Sequence, residues 1–190
     1  MREGALPVRS TFVAFVSAVL ATSGAAAEEA AVSLAQARVG AGPAGQPQAV
    51  ARVVHGILGY SRWPVAPRTV RTCIVGAPRF AGLIGTGTRP GPRTTIRRTD
   101  APAARAEDCD AVYLGSMAAA DRTALLGRMR GQAVVTIDEA DPLCRAGAMF
   151  CLRVTPAQIG LELNLDAVSR SRVRVDPRVL RLSGSVGDPS

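Results

Sequence analysis

The sequence predicts an α/β domain with a mostly parallel central sheet flanked by helices and with an antiparallel C-terminal portion. Short apolar runs alternate with stretches of helical spacing, which is the pattern of parallel strands joined by right-handed crossovers. A later stretch near residue 160 alternates apolar and polar residues, as an antiparallel strand does. Four cysteines follow an apparent export signal, so we expect two disulfides to staple this domain.

The N-terminus is organised as a secretory signal peptide. Arg2 and Arg9 precede an apolar run over residues 11–21, and small residues follow up to Ala27. The run is shorter than the about 20 apolar residues that cross a bilayer, which disfavours a membrane anchor. We predict a signal peptide over residues 1–27 that is cleaved near Ala27, a periplasmic mature protein and no membrane-spanning segment within it. Residues 28–48 hold few large apolar side chains and are predicted to form a flexible leader.

The chain is basic, with 23 Lys and Arg against 15 Asp and Glu and a formal charge of +8. All its basic residues are arginines, scattered except for a dense stretch from Arg170 to Arg181. Aromatic residues make up only 4% of the chain, which leaves few rings on which bases could stack. We therefore predict no nucleic-acid binding, while attraction to an acidic protein or lipid surface stays open.

The first half of the domain is predicted to contain one long helix and two strands. Residues 49–61 place apolar side chains at helical spacing, and the helix is expected to end near Trp63, which precedes a proline. Residues 70–76 form an apolar run closed by glycine, which favours a buried strand, a turn and a short helix over residues 80–84. Residues 94–98 are β-branched but poor in large apolar side chains, which favours an edge strand.

The second half continues the alternation. Residues 111–114 and 133–137 are short apolar runs and are predicted as buried strands. Between them, residues 118–130 form the best helical pattern in the chain, with Gly131 as its cap.

The C-terminal portion is predicted to add strands over residues 149–154 and 158–165. In the second of these, polar Glu162 and Asn164 are expected to face outward, and the inward residues are Ile159, Leu161, Leu163 and Leu165. The domain is expected to span residues 49–182, with a disordered tail over 183–190.

The four cysteines allow three disulfide connectivities. Cys73 lies in the strand that follows the first helix, and Cys109 just precedes the next predicted buried strand. If these strands are parallel neighbours, their matching ends are adjacent and a bridge between them is expected. Cys144 and Cys151 are close in sequence, and Gly147 between them lets the chain turn back, so their bridge would pin a local loop.

The sequence contains no recognisable catalytic or cofactor motif. The glycine-rich residues 85–91 lack the Gly-Lys-Ser/Thr ending of a phosphate loop. The only histidine, His55, lies in the predicted first helix, and there is no C-x-x-C pair, which disfavours a Ser-His-Asp triad, a zinc site and a redox catalyst. Asp138, Glu139 and Asp141 cluster after a strand, so Ca²⁺ stays an alternative there despite the absence of EF-hand spacing. We predict no enzyme, no cofactor and no metal.

The loop closed by the second cysteine pair is the predicted contact site for a partner. If the residues on either side of Phe150 face inward, its ring points outward, and Glu162 and Asn164 would form a polar rim to that patch. The alternative, that Phe150 belongs to the core, stays open. Trp63, the only tryptophan, is expected in the core.

The order of these landmarks resembles the YfiR family of periplasmic proteins. The resemblance covers residues 49–182, and the spacing of the four cysteines is its most specific part. The chain departs from the family pattern at His55, Gly56 and Gly59 and around Gly147. The landmarks are Tyr60 to Pro64, Cys73 to Gly76, Cys109 to Gly115, Val135 to Asp138, Cys144 to Leu152, Gln158 to Leu165 and Val179 to Leu182.

The resemblance implies bridges from Cys73 to Cys109 and from Cys144 to Cys151. It also implies a protein that often forms a homodimer. It also implies a periplasmic regulator that binds the periplasmic part of an inner-membrane diguanylate cyclase, or of another membrane signalling protein. Such a regulator would restrain cyclic di-GMP synthesis and biofilm formation. The alternative is a periplasmic small-ligand binding protein, because open α/β sheets bind ligands at the C-terminal ends of their strands.

Overall fold

A computed structural model describes residue 1, residues 32–86 and residues 92–183 of the 190-residue chain. The predicted signal peptide beyond Met1, most of the glycine-rich loop and the tail after Ser183 lie outside the described residues. In chain order the elements are β1 (Val32–Arg38), α1 (Gly45–Tyr60), β2 (Ser61–Arg62), β3 (Val70–Val75), a first 3-10 helix (Ala81–Thr86), β4 (Thr94–Thr99), β5 (Ala111–Leu114), α2 (Ala119–Met129), β6 (Val135–Asp138), β7 (Phe150–Val154), β8 (Gln158–Leu163), α3 (Leu165–Arg170), β9 (Arg174–Val175) and a second 3-10 helix (Pro177–Ser183).

Seven strands form one sheet in the order β1-β8-β7-β6-β5-β3-β4. The strands from β3 to β7 run parallel, and β8 and β1 are added antiparallel at one side. The prediction of a mostly parallel sheet with an antiparallel C-terminal portion is therefore confirmed, and β4 is an edge strand as predicted. A separate two-stranded ribbon joins β2 to β9.

Apart from the largely exposed edge strand β4, the sheet is covered on both faces. One face packs against α1 and the two 3-10 helices, and its core includes Ile57, Tyr113 and Phe150. The other face packs against α2 and the loops that follow β4 and β6, with Val112 and Leu125 at its centre. This double burial explains why successive residues of β5 and β6 are all buried, rather than every second one.

Both disulfides lie on the α2 face. Cys73 of β3 is bonded to Cys109 with the Cα atoms 5.7 Å apart, and Cys144 is bonded to Cys151 of β7 at 5.5 Å. The expected pairing is confirmed. The first bridge ties neighbouring parallel strands, and the second closes the loop between β6 and β7.

The predicted leader over residues 28–48 is wrong from residue 32 onward. Residues 32–38 form β1, which pairs with β8, and α1 begins at Gly45 rather than at residue 49. The segment is poor in large apolar residues, but the backbone of β8 offers it a ladder of hydrogen bonds, and Ala37 and Val39 pack against the core. This pairing joins residues far apart in sequence, so local composition gave no sign of it.

The last predicted strand extends too far. β8 ends at Leu163, and Leu165 begins α3 with 49% of its surface exposed instead of facing inward. Asn164 stops the strand because its side-chain oxygen accepts a hydrogen bond from the backbone N–H of Ala167 at 2.9 Å, which caps the new helix.

Candidate functional site

The C-terminal ends of β3 and β5 are where an open α/β sheet would bind a ligand. The chain leaves β3 toward one side of the sheet and leaves β5 toward the other, so this is the switch point of the topology. Here, however, the backbones of Ala77 and Ser116 exchange hydrogen bonds of 2.9 and 3.1 Å. Gly115 packs so closely on Pro78 that a Cβ atom would overlap it. The backbone itself therefore fills the crevice.

Glu139 stabilises the same end of the sheet through hydrogen bonds. Its carboxylate accepts hydrogen bonds from the backbone N–H groups of Arg79 and Phe80 and from the hydroxyl of Tyr113 at 2.7 Å. Burial, together with this carboxylate, raises the pKa of Tyr113 far above its usual range, so the hydroxyl keeps its proton. Glu139 thus links β5 to the turn after β3.

Asp138 is fully buried and forms an ion pair with Arg122 of α2. It also accepts hydrogen bonds from the backbone N–H groups of Ala140 and Asp141 at 2.8 and 3.1 Å. Burial raises the pKa of Asp138, although Arg122 and the backbone donors oppose the shift. The acidic strand end considered above for Ca²⁺ is therefore tied to protein donors. Among the described residues, no group of three His, Cys, Asp or Glu side chains is placed to hold a metal ion.

Phe150 does not point outward. Its ring is fully buried on the α1 face, while Cys151 is buried on the opposite face. The expectation of an exposed ring assumed that only one face of β7 is covered. Both faces are covered, so the alternative, a core phenylalanine, is correct.

Glu162 and Asn164 have different surroundings. Glu162 lies on the sheet face opposite the core residues of β8, as expected, but it is buried and forms an ion pair of 3.0 Å with Arg153. Asn164 is partly exposed and lines a groove beside the Cys144–Cys151 loop. Of the three predicted contact residues, only Asn164 reaches that surface.

This groove, which we call the disulfide-loop groove, has a volume of about 470 Å³. It lies between the loop that precedes β7, the start of α3 and the end of α2. Its lining residues are Arg130, Leu143, Cys144, Arg145, Ala146, Gly147, Asn164, Leu165, Asp166 and Ala167.

The groove combines apolar side chains with positive charge. Leu143 and Leu165 each leave 49% of their surface exposed. The guanidinium groups of Arg130 and Arg145 form no ion pair with any described residue, whereas Asp166 is already paired with Arg170 at 2.7 Å. A surface of this kind suits a protein segment that carries both apolar and acidic side chains.

The walls of the groove are held in place by hydrogen bonds. Cys144 adopts a left-handed backbone conformation with φ of 53°. Two interactions stabilise this conformation: the disulfide to Cys151, and the hydrogen bond that the Cys144 N–H donates to the Asp141 carbonyl. Beyond the end of α2, the carbonyl of Gln132 accepts hydrogen bonds from the backbone N–H of Arg172 at 3.2 Å and from the hydroxyl of Ser171 at 3.3 Å. The loop, α2 and α3 thus form one preorganised surface.

A second surface, which we call the cationic cleft, lies beside the second half of α3 and the residues that follow it, with a volume of about 730 Å³. Trp63 and three arginines, Arg62, Arg172 and Arg174, line it. Arg62 and Arg174 are directly opposite each other in the β2–β9 ribbon, a like-charge arrangement that weakens a strand pair. Trp63 is half-buried and donates its indole N–H to the Asp110 carbonyl at 3.0 Å, so the expectation of a core tryptophan is met in part.

Sequence reasoning missed most of the groove residues. Leu143, Arg130 and Leu165 come from three separate segments, and no sequence pattern joins them. Two features of the sequence could have indicated the groove. Leu143 is an apolar residue next to a loop cysteine, and Asn164 is followed by a stretch that is compatible with a helix.

A family model described as YfiR/HmsC-like matches residues 47–184. The matched region contains both disulfides, the groove and the cleft, and it begins after β1. No helix in the described part of the chain is long and apolar enough to span a membrane.

Proposed function

The chain belongs to the YfiR/HmsC-like family, and from this premise we propose that it is a periplasmic regulator of cyclic di-GMP signalling. It acts by binding the periplasmic part of an inner-membrane diguanylate cyclase, or of a related membrane signalling protein, and restrains synthesis of the messenger. Binding shifts the membrane enzyme toward conformers with low activity. Catalysis by this chain is not needed for such a role.

The periplasmic location is supported by the two buried disulfides and by the N-terminal sequence. Structural disulfides persist in oxidising compartments and are rare in the cytosol. The N-terminal residues carry the charge, apolar run and small residues of a signal peptide, which we propose is cleaved near Ala27.

The disulfide-loop groove is the docking surface in this proposal. The observation that carries it is the presence of two exposed leucines beside two arginines that form no ion pair within the described residues, on walls already held by hydrogen bonds. A preorganised surface loses little conformational entropy on binding. Asn164 contributes at the edge of this surface, whereas Phe150 is buried on the opposite face of the sheet and takes no part in it.

Charge reversal in the groove is expected to release the membrane enzyme. In a strain lacking this gene, the wild-type protein should lower cellular cyclic di-GMP, and the R130E/R145E variant should fail to do so because the arginines no longer attract acidic groups. Cyclic di-GMP is measured in cell extracts, and periplasmic levels of both proteins are compared by immunoblot.

A matched control separates the effect of charge reversal in the groove from the effect of a lower net charge. The R93E/R98E variant makes the same charge change beside and within the edge strand β4, at exposed positions outside the groove, and should restrain cyclic di-GMP like the wild type. An unchanged messenger level after deletion of the gene would contradict the regulatory role. If both variants restrained cyclic di-GMP equally well, the groove would not be the docking surface.

A second candidate function, binding of a small anionic ligand, is favoured by the cationic cleft. Two of its arginines, Arg172 and Arg174, form no ion pair with any described residue, and Trp63 provides an apolar face beside them. Because the switch-point crevice is filled, the cleft is the place where such a ligand would bind.

Anionic metabolites are expected to raise the unfolding temperature if the cleft binds them, because a ligand that binds only the folded state stabilises it. The screen starts with inorganic phosphate and extends to carboxylates and phosphate esters. Any shift should disappear in R172E/R174E and persist in R93E/R98E. A screen without shifts in the wild type would reject this candidate and leave the regulatory proposal untouched.

A further inference from the structure

β1 is an edge strand that lies outside the matched family region. It pairs only with β8, whereas the other strands of the described chain lie within residues 47–184. It continues into α1 through residues 39–44 alone. β1 therefore lies outside the matched region and covers one edge of the sheet.

The edge that β1 covers is a strong acceptor for an extended strand. β8 is apolar and largely buried, with Ile159, Leu161 and Leu163 in the core. Without β1, its outer backbone N–H and C=O groups would be unpaired. Such an edge pairs readily with any extended chain that reaches it.

The connection between β1 and α1 is short and tight. Gly42 has a left-handed backbone with φ of 89°, and the N–H of Gly45 donates to its carbonyl at 3.0 Å. Gly45 lies so close to the Gly40 carbonyl that a Cβ atom would overlap it. Short hinge loops favour exchange of the attached element between copies.

Pairing between β1 and β8 is also interrupted. The register shifts between Leu34 and Gln36, which leaves Ala35 without a directly opposite residue. A bulge of this kind disrupts the ladder locally. The strand is thus held by two short runs of hydrogen bonds on either side of the bulge.

We propose that β1 exchanges between two copies of this chain, each β1 pairing with β8 of the other copy in a two-fold symmetric dimer. Exchange preserves every backbone hydrogen bond of the β1–β8 ladder and opens the tight connection at residues 39–44. The occupant of the β8 edge in the dimer is the same segment of a second copy. This proposal does not depend on the regulatory function.

The test uses chains with single added cysteines at Arg38 and Gln158. These residues are directly opposite in the register, next to the Val39–Ala157 pair, whose N–H to O distance is 2.9 Å. Arg38 and Gln158 therefore form a non-hydrogen-bonded pair, whose Cα separation of about 4.5 Å suits a disulfide. Both are outside the core.

Equal amounts of the R38C and Q158C full-length chains are mixed and allowed to oxidise. A covalent product of twice the chain mass on non-reducing gels, several-fold above a mixture of R38C with R98C, is the expected result. Inserting four Gly and Ser residues after Gly42 should reduce this product, because a longer hinge lets β1 close on its own chain.

The double variant R38C/Q158C distinguishes pairing within one chain from the absence of any pairing between β1 and β8. If it bridges within one chain while the mixture gives no product above control, exchange is wrong and β1 is a permanent part of each monomer. If neither sample forms a bridge at this pair, β1 does not lie on β8 and the proposal is also wrong.

Discussion

Replacing Cys73 and Cys109 by alanine is expected to lower the free energy of unfolding by about 4 kcal/mol. The bridge closes a separation of 36 residues that includes β4, and it ties β3 to the residues just before β5, on the β4 side of the sheet. Without it, the unfolded chain gains the entropy of a long open loop. Urea unfolding of the mature protein, followed by circular dichroism, measures the change.

The matched control is the other disulfide. The C144A/C151A variant opens a separation of only 7 residues and should lose about 2.5 kcal/mol by the same reasoning. Both bridges are buried, so side-chain burial changes by similar amounts. A larger loss for the short bridge would show that native packing, rather than the unfolded chain, determines the effect.

Replacing Arg122 by methionine is expected to destabilise the protein by about 3–5 kcal/mol near pH 7, because it leaves the buried carboxylate of Asp138 without its partner. Arg122 also donates to the Gly115 carbonyl at 3.2 Å, so the same change frees the turn after β5. Urea unfolding at several pH values measures the loss.

The pH dependence gives this prediction a second readout. Burial places the pKa of Asp138 in the folded state above its value in the unfolded chain, and loss of Arg122 widens the gap. Between the two values the folded protein holds a proton that the unfolded chain has released, so stability falls as pH rises through that interval. The loss caused by R122M should therefore be smaller at pH 5 than at pH 7.

A double variant tests the cause. In R122M/D138N the amide carries no charge and its oxygen can still accept from the backbone N–H groups of Ala140 and Asp141. It should be more stable than R122M alone at pH 7, and the pH dependence of the loss should vanish. Equal stability of the two variants would mean that the packing of Arg122, not its charge, matters.

The parallel part of the fold was predictable because its signals are local. β5 is a continuous apolar run, and β3 and β6 are short segments rich in apolar residues and almost wholly buried, which is typical of strands covered on both faces. The same property misled the interpretation of Phe150: in a strand with both faces covered, alternation no longer tells which residues are exposed. The bridge between Cys73 and Cys109 was expected from the neighbourhood of β3 and β5, and the structure confirms it.

The missed elements depend on contacts between distant residues. β1 exists through its pairing with β8, more than a hundred residues later. Helix α3 was hidden because the alternation over Leu161 and Leu163 continues by chance to Leu165, although Asn164 offered a helix-capping signal. The groove is assembled from the ends of two helices and a loop, so no single stretch of sequence could reveal it.

Trp63 makes the protein its own optical probe. It is the only tryptophan in the chain, and its indole N–H bonds to the carbonyl of Asp110, next to Cys109. The tryptophan fluorescence therefore comes from one position, at the junction of the α1 end, the first disulfide and the cationic cleft. A shift of its emission to longer wavelength would report unfolding, and quenching without such a shift would report a ligand in the cleft, with no added dye.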